Sequence, residues 1–399
     1  MSSNQTDDLK QRRSRSLRKL DVEVPAEKRN KRQSIEVFVK SKLSALSPKF
    51  QSFVIRAIVS VVLLILLPVL IFGDFIVLYF IIYFIALQCY REYIRVGCID
   101  LRTDKLPLIR FFAYFVFFVI FNLFTGDFPI ENLRNVIPTE VYFSIKTYGT
   151  FINFSMLMLI IVVFVLTLKK HFYKRQFTML GWFFLGSAVM GCSARCLFKN
   201  LQKALIWAFL PMSLIVVNDI SAYLCGILFG KTPLIKISPK KTWEGFIGSG
   251  IITLFGSVLF THFLIKYPYF YCPYNNTFGS HKLNITCKLP SFMEPKTFQL
   301  SLLPTLIVIP PFGGFFASGF KRAYNIKDFG YTIPGHGGML DRMDCQFFIT
   351  IFVFVYTVTF VKVYVSNIVF DEITRLPTED LIQLYEMLKK YLVDIGAIE

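Results

Sequence analysis

Two aspartates three residues apart, Asp341 and Asp344, close a run that opens at Ser318 and includes Lys321, Arg322, Lys327, Asp328, Gly335, His336, Gly337, Gly338 and Arg342. If a helix begins near Leu340, both carboxylates share one face of its first turn. The glycines let backbone approach a phosphate closely. Hard carboxylate oxygens beside a glycine-rich loop and several cations meet the needs of Mg²⁺–nucleotide chemistry. No single tripeptide in this run is diagnostic; the whole run is.

A second stretch, from Gly230 to Gly245, carries Lys231, Lys236, Lys240 and Lys241. Ser238 followed by Pro239 reads as an N-cap with proline in the first helical position. Such a start would aim free backbone N–H groups, a favourable dipole and two lysines at one volume, which suits a phosphate. The plainer reading, a basic membrane flank with a helix cap, accounts for the lysines but not for Trp243-Glu244-Gly245. The third feature is Asp219. It lies 12 residues before Lys231, hence about 18 Å deep along a helix. A carboxylate near the bilayer centre costs about 2.5–3.5 kcal/mol on insertion scales, so it should face a polar cavity or a cation. Asp219, Ala222, Tyr223 and Gly226 fall on one helical stripe.

Long apolar elements position these residues. The chain has 399 residues, 54% of them hydrophobic and only 18% charged, with a net charge of +18. Soluble domains carry about 25% charge, so these values exclude a disordered chain, a coiled coil and a disulfide-stapled scaffold. Nine apolar runs approach the ~20 residues needed to cross a bilayer. They lie near 57–72, 75–90, 111–125, 150–168, 177–192, 204–229, 245–265, 300–317 and 345–366. With a cytosolic N-terminus, the loops 91–110, 169–175, 230–244 and 318–344 are the basic ones, as the positive-inside rule requires. Loop 193–203, with Arg195, Lys199 and Lys203, fits badly. Loop 267–299 holds sequons at Asn275 and Asn284 together with Cys272 and Cys287, a pattern suited to an oxidising lumen. Residues 1–50 are basic and lack an apolar period, and are expected to form a disordered cytosolic tail; its Arg-Ser clusters could be phosphorylated or rest on anionic lipid. Cysteines and the four histidines are too scattered for a zinc cluster.

The run Ser318-x-x-Lys321-Arg322-x4-Lys327-Asp328-x5-Pro334-x-His336-Gly337-Gly338-x-x-Asp341-Arg342-x-Asp344 resembles the signature of the phosphatidate cytidylyltransferases, or CDP-diacylglycerol synthases. Asp219-x-x-Ala222-Tyr223 and Ser238-Pro239-Lys240-Lys241-Thr242-Trp243-Glu244-Gly245 resemble the eukaryotic branch. The resemblance runs from about residue 50 to about 366 and is most specific over 218–250 and 311–350. Bacterial members place an acidic residue four positions before the signature serine; here that position is Gly314, which shifts weight onto Asp219. The resemblance implies transfer of CMP from CTP to phosphatidic acid, with pyrophosphate released, for phospholipid synthesis. It further implies Mg²⁺ on Asp341, Asp344 and Asp219. Phosphates would be held by Ser238, Lys240, Lys241, Lys321, Arg322, Lys327, Asp328, Arg342 and the backbone of Gly337 and Gly338. His336 would bind phosphate rather than move a proton.

The expected architecture is therefore all-α: a polytopic integral membrane protein with about nine transmembrane helices and a polar cavity open to the cytosol, in the endoplasmic reticulum. A tail (1–50), N-terminal helices (51–200), a catalytic region (201–366) and a C-terminal tail (367–399) would follow in order. Partners would be CTP, phosphatidic acid and the lipid bilayer, with no nucleic acid, and a homodimer is allowed. Two other functions compete. A CTP-dependent lipid kinase would move the γ-phosphate, against the full signature. A membrane transporter would leave Gly-His-Gly-Gly-x-x-Asp-Arg-x-Asp unexplained and usually shows inverted repeats.

Overall fold

A computed structural model describes residues 73, 75–98, 109–133, 137–235, 238–272, 311–333, 337–360, 373 and 378–394. The chain divides into two compact units, Gly73–Phe329 with Met339–Glu399, and Met1–Phe72 with Gly330–Gly338. The first unit is almost wholly helical. Its elements are α1 (Phe75–Gly97), α2 (Ile109–Thr125), α3 (Asp127–Leu133), α4 (Thr139–Leu166), α5 (Tyr173–Lys203), α6 (Ile206–Phe229), β1 (Pro233–Ile235), β2 (Ser238–Thr242), α7 (Trp243–Leu264), α8 (Pro268–Tyr271), α9 (311–323), α10 (Leu340–Thr359) and α11 (Thr378–Asp394). Six of these helices, α1, α4, α5, α6, α7 and α10, are long and apolar enough to cross a membrane, and α2 is a shorter apolar helix. The expected run at 57–72 and part of those at 300–317 and 345–366 lie outside the described residues.

Helices α1 and α5 outrun the apolar stretches that announced them. Their polar ends are buried against protein: Glu92 on α1 and Asn200 on α5 are both buried. Residues 193–203, expected to be a loop, are therefore the last turns of α5, and only Ala204-Leu205 separates α5 from α6. Two apolar cores hold the helices. One gathers Trp207, Leu210 and Leu214 of α6 with Leu264 of α7 and Ile349, Val353 and Tyr356 of α10. The other gathers Val116 and Ile120 of α2 with Ile160 of α4 and Met179 and Phe183 of α5. Polar bonds tie α5 to α10 as well: the Asn200 amide donates to the Thr350 carbonyl (3.1 Å) and Lys203 Nζ to Thr357 Oγ1 (2.8 Å).

Helices α6 and α7 pack along a seam of small residues. A Cβ on Gly245 would lie 2.9 Å from the Ala222 carbonyl oxygen, and one on Gly248 would lie 2.8 Å from Cys225 Sγ. Further along α7, Ser249, Thr253, Ser257 and Thr261 are all buried, and Thr253 Oγ1 donates to Asn218 Oδ1 (3.3 Å). Small residues at four-residue spacing let two backbones approach in a membrane, where no hydrophobic effect drives helices together.

The two helices are joined by an antiparallel hairpin, with Pro233 paired to Thr242 and Ile235 to Ser238. This overturns the expected helix start at Ser238-Pro239. Both residues lie in a strand, and Thr242 is the N-cap of α7, accepting the Gly245 N–H at 3.2 Å. Proline fits because both strands of a two-stranded sheet are edges, where a ladder N–H can be absent. The second unit's described residues form a tight turn, in which Ile333 and Gly337 exchange backbone hydrogen bonds of 2.9 and 3.1 Å. Gly337 has φ +91°, which a side chain would strain.

Candidate active site

The start of α10 presents both expected carboxylates. Asp341 lies in the first turn and is bonded at both oxygens: Oδ1 accepts Lys321 Nζ at 2.8 Å, and Oδ2 accepts the Phe329 N–H at 3.0 Å. The pair is sheltered, with side chains 16% and 8% exposed, and Lys321 Nζ lies 5.2 Å from the Phe329 ring centroid. Lys321 thereby ties α9 and the loop after it to α10. Asp344, one turn on, accepts the Cys345 N–H with Oδ1 at 2.7 Å and sits within electrostatic reach of Lys321 and Asp341.

Asp219 belongs to α6, more than a hundred residues earlier, yet Lys241, Asp344 and Arg342 all act on it electrostatically. Its neighbour Asn218 is buried, whereas Asp219 itself is exposed. Lys241, at the end of β2, reaches the same place. Its Nζ is 4.7 Å from the Phe315 ring centroid, and a Cβ on Gly314 would lie 3.4 Å from it. A Cβ at position 314 would thus stand in ordinary van der Waals contact with the Lys241 ammonium, and Cys345 Sγ lies 3.5 Å from the same point. Aromatic packing under an ammonium group holds it without neutralising it.

The remaining expected residues divide. Arg322 is exposed, with its guanidinium 3.5 Å from the Ile326 carbonyl. Lys327 is exposed and Asp328 half-buried. The backbone at Ser238 and Lys240 lies in β2, but their side chains are outside the described residues, as is His336. Gly337 and Gly338 belong to the second unit. The signature serine, Ser318, donates to its own helix at the Gly314 carbonyl (2.7 Å).

Two acidic residues that sequence reasoning did not assign also shape the region. Glu244 accepts the backbone N–H groups of Lys231 and Thr232 at 3.1–3.2 Å and the Thr232 hydroxyl at 2.8 Å, fastening the base of the hairpin. Glu92 of α1 accepts the N–H groups of Met339 (3.1 Å) and Leu340 (2.9 Å). Its partners are 247 and 248 residues away, so no local spacing could have revealed them.

Among the described residues, no three His, Cys, Asp or Glu side chains converge as a self-sufficient metal site. The donor set nevertheless fits Mg²⁺, which usually binds through one or two carboxylates and completes its shell with water and substrate phosphates. Asp219 and Asp344 supply hard oxygens; the two Asp341 oxygens accept the Lys321 and Phe329 hydrogen bonds, while a carboxylate offers about four lone-pair sites in all. The arrangement as a whole, carboxylates and cations interleaved beside a membrane-spanning helix, suits polyphosphate held next to a lipid.

Comparison with known proteins gives a consistent result. Residues 54–360 match the Cytidylyltransferase family. Phosphatidate cytidylyltransferase 1 of Homo sapiens is 33% identical over 386 residues, 90% of this chain and 84% of that protein. Phosphatidate cytidylyltransferase of Caenorhabditis elegans is 31% identical over 407 residues, 96% and 87% of the two chains. Phosphatidate cytidylyltransferase 2 of Homo sapiens is 33% identical over 380 residues, 89% and 85%.

Proposed function

The chain belongs to the cytidylyltransferase family, and from that premise we propose how its own residues run the reaction. It is a membrane-bound phosphatidate cytidylyltransferase, joining CTP and phosphatidate to give CDP-diacylglycerol and pyrophosphate. An oxygen of the lipid phosphate attacks the α-phosphorus of CTP. A P–O bond forms there as the bond to the bridging oxygen breaks, and pyrophosphate leaves with the electron pair. The attacking oxygen is already ionised, so no strong base is required, and catalysis is mostly positioning and charge stabilisation.

Asp219 and Asp344 would hold Mg²⁺, which when bound neutralises phosphate charge and favours the leaving pyrophosphate. Lys241 and Arg342 flank these carboxylates and bind phosphate oxygens; the Phe315 ring beneath Lys241 Nζ helps to hold it there. Lys321 and Asp341 brace the start of α10 and lend the site one further cation. Arg322 and Lys327 are exposed cations that extend the basic rim; phosphate binding by Ser238, Lys240, His336, Gly337 and Gly338 is the role that the signature's resemblance implies.

The observation that carries this reading is that Asp219 of α6 lies within electrostatic reach of Lys241 at the end of β2 and of Arg342 and Asp344 of α10. An exposed carboxylate on a membrane-spanning helix is costly without a function, and a headgroup entering sideways while its acyl chains stay in the bilayer supplies one. The basic loops favour a site facing the cytosol, where CTP is found, with about nine spans in an endoplasmic-reticulum membrane. The test uses purified protein in phosphatidate micelles with Mg²⁺ and CTP labelled on the α-phosphate. Label should enter lipid as pyrophosphate is released, and Asp344→Asn should lower kcat by about 100-fold or more. Movement of a γ-label into lipid instead would identify a kinase; full activity of Asp344→Asn would remove Asp344 from the site.

A further inference from the structure

The N-cap residue of helix α10 does not cap it with its own side chain. That residue is Met339, whose thioether is only a weak acceptor and makes no capping hydrogen bond. The free N–H groups of Met339 and Leu340 are instead taken by one carboxylate from another helix. Glu92 Oε1 accepts from Met339 at 3.1 Å and Oε2 from Leu340 at 2.9 Å. Glu92 is only 5% exposed, and a negative group at a helix start is further favoured by the helix dipole. Burying a carboxylate is expensive unless its oxygens are bonded. What this carboxylate secures is the turn that begins one residue before Asp341 and carries Arg342 and Asp344.

That turn is gripped from two sides. Glu92 holds its backbone from α1, and Lys321 holds the Asp341 side chain from α9 at 2.8 Å. A rotation of the turn would move Asp344 and Arg342 relative to Asp219 and Lys241. Misplacement of a reacting group by about 1 Å can cost about a hundredfold in rate.

We propose that Glu92 is a positioning residue for cytidylyl transfer: as a remote cap it fixes the register and angle of the first turn of α10, and so the placement of Asp344 and Arg342. The proposal rests on the site reading above. It assigns Glu92 no contact with substrate.

Glu92→Gln tests it. The amide keeps one accepting oxygen and turns an N–H₂ toward the second donor, so half the cap becomes repulsive at nearly constant volume. Full-length protein is assayed in phosphatidate micelles per mole of monodisperse folded enzyme, with hydrogen exchange measured on peptides spanning 337–345 without substrate. We expect kcat to fall at least tenfold, KM for CTP and phosphatidate to stay within threefold, and exchange to quicken at Met339 and Leu340 but not in the later turns of α10. Glu92→Asp, shorter by one methylene but still charged, should fall between Gln and the parent. A Gln variant with kcat within threefold of the parent overturns the proposal. So does faster exchange spread over the whole chain, which marks a purely structural role. If the Gln variant yields no folded protein, Glu92→Asp is judged by the same criteria; if neither folds, Glu92 is a folding determinant and the proposal fails. A parent without transfer activity sinks the site reading and this proposal together, whereas unchanged exchange in an active parent overturns this proposal alone.

Discussion

Lys321 and Asp341 are each the other's main reason for being sheltered. Removing one partner of such a pair leaves an uncompensated charge and typically costs about 3–5 kcal/mol. Lys321→Met should therefore lower thermal stability sharply. Adding Asp341→Asn should recover most of the loss, because the amide oxygen can still accept the Phe329 N–H; thermal unfolding of the two variants checks this, and equal instability in both would refute it. Activity should not return in the double variant, since the cation is gone. Residues of this kind are legible in the amino-acid sequence. Asp219, Asp341 and Asp344 stand out because carboxylates in apolar or glycine-rich surroundings are costly, and Lys241 because lysines cluster there. Glu92 and Glu244 are not legible, because both act on backbone N–H groups, which carry no sequence signal.

At the scale of elements, the seam between α6 and α7 decides where Asp219 sits. Gly245→Val would press a branched side chain against the Ala222 carbonyl, 2.9 Å from where its Cβ must go. Overpacking of this kind costs about 1–3 kcal/mol. Because Asp219 lies one turn before Ala222, the expected result is a moderate drop in thermal stability with a larger loss of kcat, and stability falling without loss of kcat would contradict it. The existence of helices is readable from apolar runs, but their ends are not. Hydropathy reports what faces lipid, whereas the ends of α1 and α5 are polar and buried in protein. The hairpin escapes a reading by pattern because strands of three and five residues are too short to show alternation, and Ser-Pro is also a good helix start. Only pairing with β1 distinguishes the two.

For the whole molecule, two of the three cations of 193–203 that contradict the positive-inside pattern are engaged within the fold. Arg195 donates to the Phe124 carbonyl at 2.8 Å and lies 4.0 Å from Asp127, and Lys203 is bound to Thr357. Charges consumed by tertiary contacts say little about sidedness, so topology rests on the other loops. Asn275 and Asn284 should then be glycosylated in microsomes, and loss of both shifts in Asn275→Gln/Asn284→Gln would report it; unmodified sequons accessible to cytosolic labelling would invert the orientation. Cys272 is disulfide-bonded, in keeping with an oxidising compartment, while Cys287 lies outside the described residues. The close seam of α6 and α7 bears finally on biosynthesis. Helix α6 emerges from the ribosome with Asn218, Asp219 and Ser221 in its middle, and the hydroxyl of Thr253 that meets Asn218 is translated later. Alone in the translocon, α6 carries the full insertion penalty of its aspartate. Its natural unit of membrane entry is the helical hairpin, so a nascent chain arrested before α7 should integrate α6 poorly, and one extended past Leu264 should integrate both.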